Sequence, residues 1–99
     1  MKIGIDLVKI EKLQNLDLSK VFTKAELEQN PRKESLAGIF AAKEAFFKAL
    51  GKKENWLDVW VEKLESGQPE MFSNLVENGS RINLSISHED DLAVAIVII

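Results

Sequence analysis

The chain has 99 residues, enough for one domain that buries roughly two-thirds of its unfolded surface. It is 45% hydrophobic and 29% charged with no cysteine, which excludes a disulfide framework, a thiolate nucleophile and a Cys-type zinc site. The formal net charge of −3 hides a division, since residues 1–53 carry eleven Lys/Arg against seven Asp/Glu and residues 54–99 carry two against nine. Such polarity can steer an anionic ligand or partner to one side of a fold. The acidic total and the lack of a basic stripe interleaved with aromatics argue against nucleic acid. No apolar run is long enough for a signal peptide or a membrane span, so the expectation is a cytoplasmic chain with no membrane partner, organised as a single domain over 1–99.

Residues 2–8 alternate as a strand, with Ile3, Ile5 and Leu7 on one face and Gly4 and Asp6 on the other. Aspartate is a poor strand former. Asp6 therefore either ends the strand and caps the next helix, or belongs to a site that a ligand approaches over Gly4. Residues 9–20 read as a short amphipathic segment through Ile10, Leu13 and Leu16. Phe22-Thr23-Lys24-Ala25-Glu26 is a helix start, with Thr23 as N-cap, Glu26 completing a capping box and Phe22 as a hydrophobic staple. Asn30-Pro31 ends that helix.

A long helix is expected from about Pro31 or Glu34 to Leu50, closed by Gly51 in the left-handed conformation. It is apolar nearly all round: Leu36, Ile39, Phe40, Phe46, Phe47 and Leu50 form a bulky arc, and Ala37, Gly38, Ala41, Ala42, Ala45 and Ala49 a small one. A helix apolar on every side is buried, and the small arc invites close approach by another element. Three charges interrupt it. Lys43 lies among bulky residues, where it should snorkel or pair structurally. Glu44 and Lys48 stand one turn apart at the boundary of the arcs.

Lys52-Lys53-Glu54-Asn55 is a polar loop, and Trp56 to Leu64 alternates as a strand, with Leu57, Val59 and Val61 opposite Trp56 and Trp60. Packing accounts for the two tryptophans better than base stacking does. Ser66-Gly67-Gln68-Pro69 is a turn, and Glu70–Asn78 has weak helical spacing. The C-terminus reads as a hairpin: Ile82, Leu84 and Ile86 alternate with Asn83, Ser85 and Ser87, His88–Asp91 turns, and Leu92–Ile99 is apolar on both faces, as in a covered strand.

Asp6 and Glu44 are the two carboxylates in costly surroundings. Two oxygen ligands without Cys or His partners suit a hard cation, Mg2+ above all, which completes its shell with waters and substrate phosphates. Lys48, Lys52 and Lys53 would supply charge for those phosphates. The plainer alternative is that Glu44 and Lys48 form an ordinary i,i+4 helix pair.

Four blocks carry a resemblance: Ile3–Ile10 (IGIDLVKI), Phe22–Glu26 (FTKAE), Leu36–Gly51 (LAGIFAAKEAFFKALG) and Leu84–Ala95 (LSISHEDDLAVA). In this order they resemble the small, trimeric bacterial 4′-phosphopantetheinyl transferases, the holo-acyl-carrier-protein synthase family. The resemblance implies an α+β fold, mainly antiparallel sheet packed on a long central helix and assembling through its sheets into a homotrimer. It implies transfer of the phosphopantetheine arm of coenzyme A to a serine of apo-acyl carrier protein in fatty-acid biosynthesis, with release of adenosine 3′,5′-bisphosphate. In that reading Asp6 and Glu44 hold Mg2+, and Glu44, directly or through a water, is the base for the carrier serine. Lys48 contacts phosphate, and His88, with Ser87 beside it, lies near the nucleotide end of coenzyme A, contributed from a neighbouring subunit. The segment that in the family offers basic residues to the carrier holds Lys9, Lys12, Lys20 and Lys24 against Glu11 and Asp17, a thinner patch without arginine.

The chain also departs from the pattern. Ile39 stands where an arginine usually precedes Phe-Ala-Ala-Lys-Glu, Lys52–Asn55 replaces a glycine-rich stretch, and Gln68 replaces a lysine. These departures motivate an alternative, a non-catalytic or weakly active descendant that binds a nucleotide or carrier.

Overall fold

The computed structural model describes residues 1–99. Strand β1 (Ile3–Lys9) runs antiparallel to β5 (Leu92–Ile98), which pairs on its other edge with β4 (Asn83–Glu89), giving the order β1-β5-β4. A second sheet is the hairpin of β2 (Val59–Lys63) and β3 (Pro69–Ser73). Between β1 and the long helix α3 (Lys33–Leu50) lie a 3-10 turn (Ile10–Asn15) and two short helices, α1 (Leu18–Val21) and α2 (Lys24–Gln29). The amphipathic stretch 9–20 is thus split, with Leu13 buried and Ile10 and Leu16 packed beside it. Asp17 caps α1 by accepting from the Ser19 N–H. Thr23 and Glu26 form the expected capping box, and Gly51 closes α3 at φ 89°.

Helix α3 lies across the inner face of the three-stranded sheet. That face is built from small side chains: Gly4 and Val8 on β1, Ala93, Ala95 and Val97 on β5. They meet Ala41, Ala45 and Ala49 of the helix, so the two backbones approach closely. A side chain at Gly4 would overlap the Ala45 carbonyl oxygen and stand 2.8 Å from the Ala49 nitrogen. The room beside Asp6 is therefore filled by the helix and is not an approach for a ligand. Gly4 is there for helix-sheet contact.

The bulky arc of α3 packs the other way. Phe40 stacks on Trp56 at 5.1 Å between centroids and Phe47 meets Trp56 edge-on at 5.5 Å. Trp56 belongs to a 3-10 turn (Trp56–Asp58) ahead of β2 rather than to the expected strand, because Asn55 caps the turn by accepting from the Leu57 N–H. The tryptophans accordingly part company: Trp60 lies on the outer face of the β2–β3 hairpin, stacked on Phe72. The helical spacing of Glu70–Asn78 is overridden, since Pro69–Ser73 pairs with β2 and turns follow. His88 sits within β4, one residue pair inside a tight turn in which Asp90 adopts φ 54°.

The outer face of the sheet is the surprise. Ile3, Ile5 and Leu7 are 60, 58 and 64% exposed, next to Val94, Ile96 and Ile98 of β5. Apolar side chains on β1 face solvent while a glycine and an aspartate face the helix.

Candidate active site

Alternation along β1 sends Gly4, Asp6 and Val8 towards α3. Because Gly4 admits the helix, Asp6 comes within reach of its last turns. Lys48 Nζ donates to Asp6 Oδ1 at 3.2 Å and to the Ile5 carbonyl at 2.9 Å, with the aspartate side chain only 15% exposed. Glu44 lies one turn earlier on α3. It does not pair with Lys48; Lys53 Nζ donates to Glu44 Oε1 at 2.9 Å. The same ammonium lies 4.4 Å from the Trp56 ring centroid. Lys52 pairs with Glu54 at 3.1 Å.

The left-handed turn at Gly51 brings Lys52 and Lys53 back over the end of the helix. The result is an open hollow of about 360 Å³ lined by Glu44, Phe47, Lys48, Gly51, Lys52 and Lys53. Three ammonium groups and one carboxylate border it, and Asp6 reaches it through Lys48. Clustered ammonium groups on an open surface suit a di- or polyphosphate.

The donor set also fits a hard cation. Asp6 Oδ1 and Glu44 Oε1 each already face a positive nitrogen, at 3.2 and 2.9 Å. No group of three or more His, Cys, Asp or Glu side chains could form an all-protein cage. Asp6 and Glu44 are the carboxylates here that could serve a magnesium ion whose shell is completed by waters and phosphate oxygens.

Lys43, the third charge of the helix, is outside this site and fully buried. Its ammonium donates to Glu26 Oε1 at 2.7 Å, to the Val21 carbonyl at 2.7 Å and to the Trp56 carbonyl at 3.2 Å. Glu26 in turn accepts from the N–H groups of Thr23 and Val61. Lys43 thus pairs structurally, as one of the two sequence expectations had it. The capping box identified Glu26 as a cap but carried no sign that the same carboxylate serves a lysine seventeen residues away.

His88 is not brought to Asp6 and Glu44. It pairs with Ala93 on the inner face of the sheet, on the opposite side of α3, where Gly38 meets Ile86. There it lines a small cavity of about 160 Å³ with Asn30, Glu34, Ser35, Ile39 and Lys63. The Asn30 Nδ2 donates to the Glu26 carbonyl, while Asn30 Oδ1 is buried without a partner. Ser87 points the other way, onto the outer face beside Val94 and Leu7. Within one chain, then, Glu44, Lys48, Lys52 and Lys53 converge, Asp6 joins them, and His88 and Ser87 face two other surfaces. Nothing in the sequence tied Lys63 or Asn30 to that cavity, since only the β2–β3 hairpin and the end of α2 carry them there.

The family described as "4'-phosphopantetheinyl transferase superfamily" matches residues 2–97. The chain is 38% identical over 114 residues to a holo-[acyl-carrier-protein] synthase of Chlorobaculum parvum, covering 100% of this chain and 97% of the relative. It is also 38% identical to one from Clostridium perfringens, with 94 and 88% covered. Among solved structures it is similar to the Helicobacter pylori holo-[acyl-carrier-protein] synthase in complex with coenzyme A, at TM-score 0.86 and 26% identity, with 97% of each chain covered. The Bacillus anthracis synthase, solved with coenzyme A (3′,5′-ADP), gives TM-score 0.83 at 31% identity, covering 97 and 92%.

Proposed function

We propose that this chain, which belongs to the 4'-phosphopantetheinyl transferase superfamily and is an enzyme of its holo-[acyl-carrier-protein] synthase kind, uses the α3–β1 junction to transfer phosphopantetheine from coenzyme A to a carrier serine. The observation that carries the assignment of the site is that Glu44 and three lysines line one hollow, with Lys53 paired to Glu44 and Lys48 paired to Asp6 behind it.

In this reading the diphosphate of coenzyme A lies over Lys48, Lys52 and Lys53. Asp6 and Glu44 hold Mg2+, which when bound neutralises charge on the diphosphate and on the leaving group. Glu44, directly or through a water, takes the proton of the carrier serine hydroxyl. The serine oxygen bonds to the phosphorus that bears the pantetheine arm, and the bridging P–O bond breaks. The electron pair leaves with adenosine 3′,5′-bisphosphate, whose charge Lys48 and its neighbours stabilise.

The position of His88 supports a site shared between chains. It lines a different cavity from Glu44 and Lys48, so in this reading it meets the nucleotide end of a coenzyme A held at a neighbour's Asp6 and Glu44. The exposed Ile3, Ile5 and Leu7 face supports a homotrimer closed through the sheets. Lys9, Lys12, Lys20 and Lys24 are all exposed, which suits docking of an acidic acyl carrier protein in cytoplasmic fatty-acid synthesis.

The test is to incubate the protein with coenzyme A, Mg2+ and apo-carrier and weigh the carrier. A phosphopantetheine mass gain that needs Mg2+ and falls by about a thousandfold or more in Glu44→Gln and Asp6→Asn is expected. Transfer that survives both substitutions would place the chemistry elsewhere.

A further inference from the structure

Glu44 would ordinarily find its counter-ion one turn on, at Lys48. That ammonium is already committed to Asp6 and to the Ile5 carbonyl. Glu44 depends instead on Lys53, a residue outside the helix. The segment that carries Lys53 is lightly held: residues 51–55 are exposed, and no backbone hydrogen bond ties the N–H groups of 52–54. The Lys53 side chain is 59% exposed, and its other support is the face of Trp56, itself fixed against Phe40 and Phe47. One end of the contact is therefore fixed by packing, and the other lies on an exposed loop with few ties. A short surface ion pair of this kind contributes little, so it is easily exchanged for a stronger cation.

Resting on the metal reading above, we propose that Lys53 is a displaceable counter-ion of Glu44. It occupies the carboxylate in the metal-free protein, is expelled from Oε1 when the divalent cation binds, and then turns over the hollow to hold the diphosphate of the donor. The Trp56 ring keeps the ammonium within reach in both positions. Metal and Lys53 compete for one oxygen, whereas Lys53 and the donor attract each other. Loss of the lysine thus acts in opposite directions on the two ligands. A residue that merely supported the fold would weaken both.

Isothermal calorimetry at low ionic strength distinguishes these cases, using the full chain with Mg2+ alone and then coenzyme A at saturating Mg2+. Lys53→Met is expected to bind Mg2+ about three- to fivefold more tightly and coenzyme A about fivefold more weakly. Lys53→Arg, which keeps the charge, should restore both affinities towards the native values. In a Trp60→Phe background Mg2+ should change Trp56 emission, and adding Lys53→Met should remove that response. Mg2+ affinity that is unchanged or weaker in Lys53→Met, in a protein whose Mg2+ binding still needs Glu44, overturns the role of Lys53 and leaves the metal reading standing. Native protein that binds no Mg2+ overturns both. Thermal melting of each variant checks that the fold is retained.

Discussion

At the scale of single residues, the buried Lys43–Glu26 pair shows how an awkward charge can be structural. All three donors of the ammonium are used, and the carboxylate reaches α2, β2 and α3 at once. Removing one partner leaves the other charge buried and unpaired. Lys43→Met is expected to destabilise by about 3–5 kcal/mol in urea unfolding, while the double variant Lys43→Met/Glu26→Gln should recover a large part. Burial pushes the Lys43 ammonium below its usual 10.5, against the opposing pull of Glu26. Between that lowered value and 10.5 the unfolded chain binds more protons than the native one, so stability rises with pH there. Urea melts at increasing alkaline pH should show the native protein gaining on the double variant, which lacks the pair. A falling difference would mean that Glu26 holds the lysine charged more firmly than burial opposes it.

Among elements, the contact of α3 with β1 decides where Asp6 sits. The strand and helix meet through Gly4, Ala45 and Ala49, and a methyl group at Gly4 collides with helix backbone. Backbone cannot step aside as a side chain can. Gly4→Ala should therefore cost about 3 kcal/mol and separate Asp6 from Lys48. Gly38, on the same helix, offers the contrast. A Cβ there would stand 2.7 Å from Ile86 Cγ2, a side-chain atom that must shift, but it meets no backbone of another element. Replacing a helical glycine also gains about 1 kcal/mol of helix propensity. Gly38→Ala is expected to cost clearly less than Gly4→Ala, and equal losses at the two glycines would refute this account of the packing.

For the whole molecule, the outward apolar sheet and the separation of His88 from Asp6 raise one question, that of assembly. If sheets close a trimer, a charge at Ile5, opposite Ile96 in the register, should dissociate it. Ile5→Glu is expected to sediment as a monomer, with activity lost although Glu44 and Lys48 are intact. A shared site makes a second prediction. Chains carrying Glu44→Gln and chains carrying His88→Ala, each inactive alone, should regain part of the activity when mixed, unfolded and refolded together. Absence of complementation in mixed trimers would put the whole site within one chain.

Much of this was legible in the residues. The spacing of small and bulky side chains marked α3 as a buried helix, Thr23 and Glu26 marked the start of α2, and the two-faced apolarity of Leu92–Ile98 marked the central strand. These are local signals, set by the periods of helix and strand and by the chemistry of caps. Asp6 and Glu44 stood out because each is costly where the pattern puts it. The sequence could not say which lysine answers which carboxylate, because Lys48 and Lys53 are both near Glu44 along the chain and only the approach of β1 commits Lys48 to Asp6. Nor could it tell that the Gly4 face of β1 is the buried one, since the larger apolar side chains lie on the other. That choice belongs to tertiary structure. Close contact with an alanine-lined helix needs a face without bulk, and the bulky face is left to meet something outside the chain.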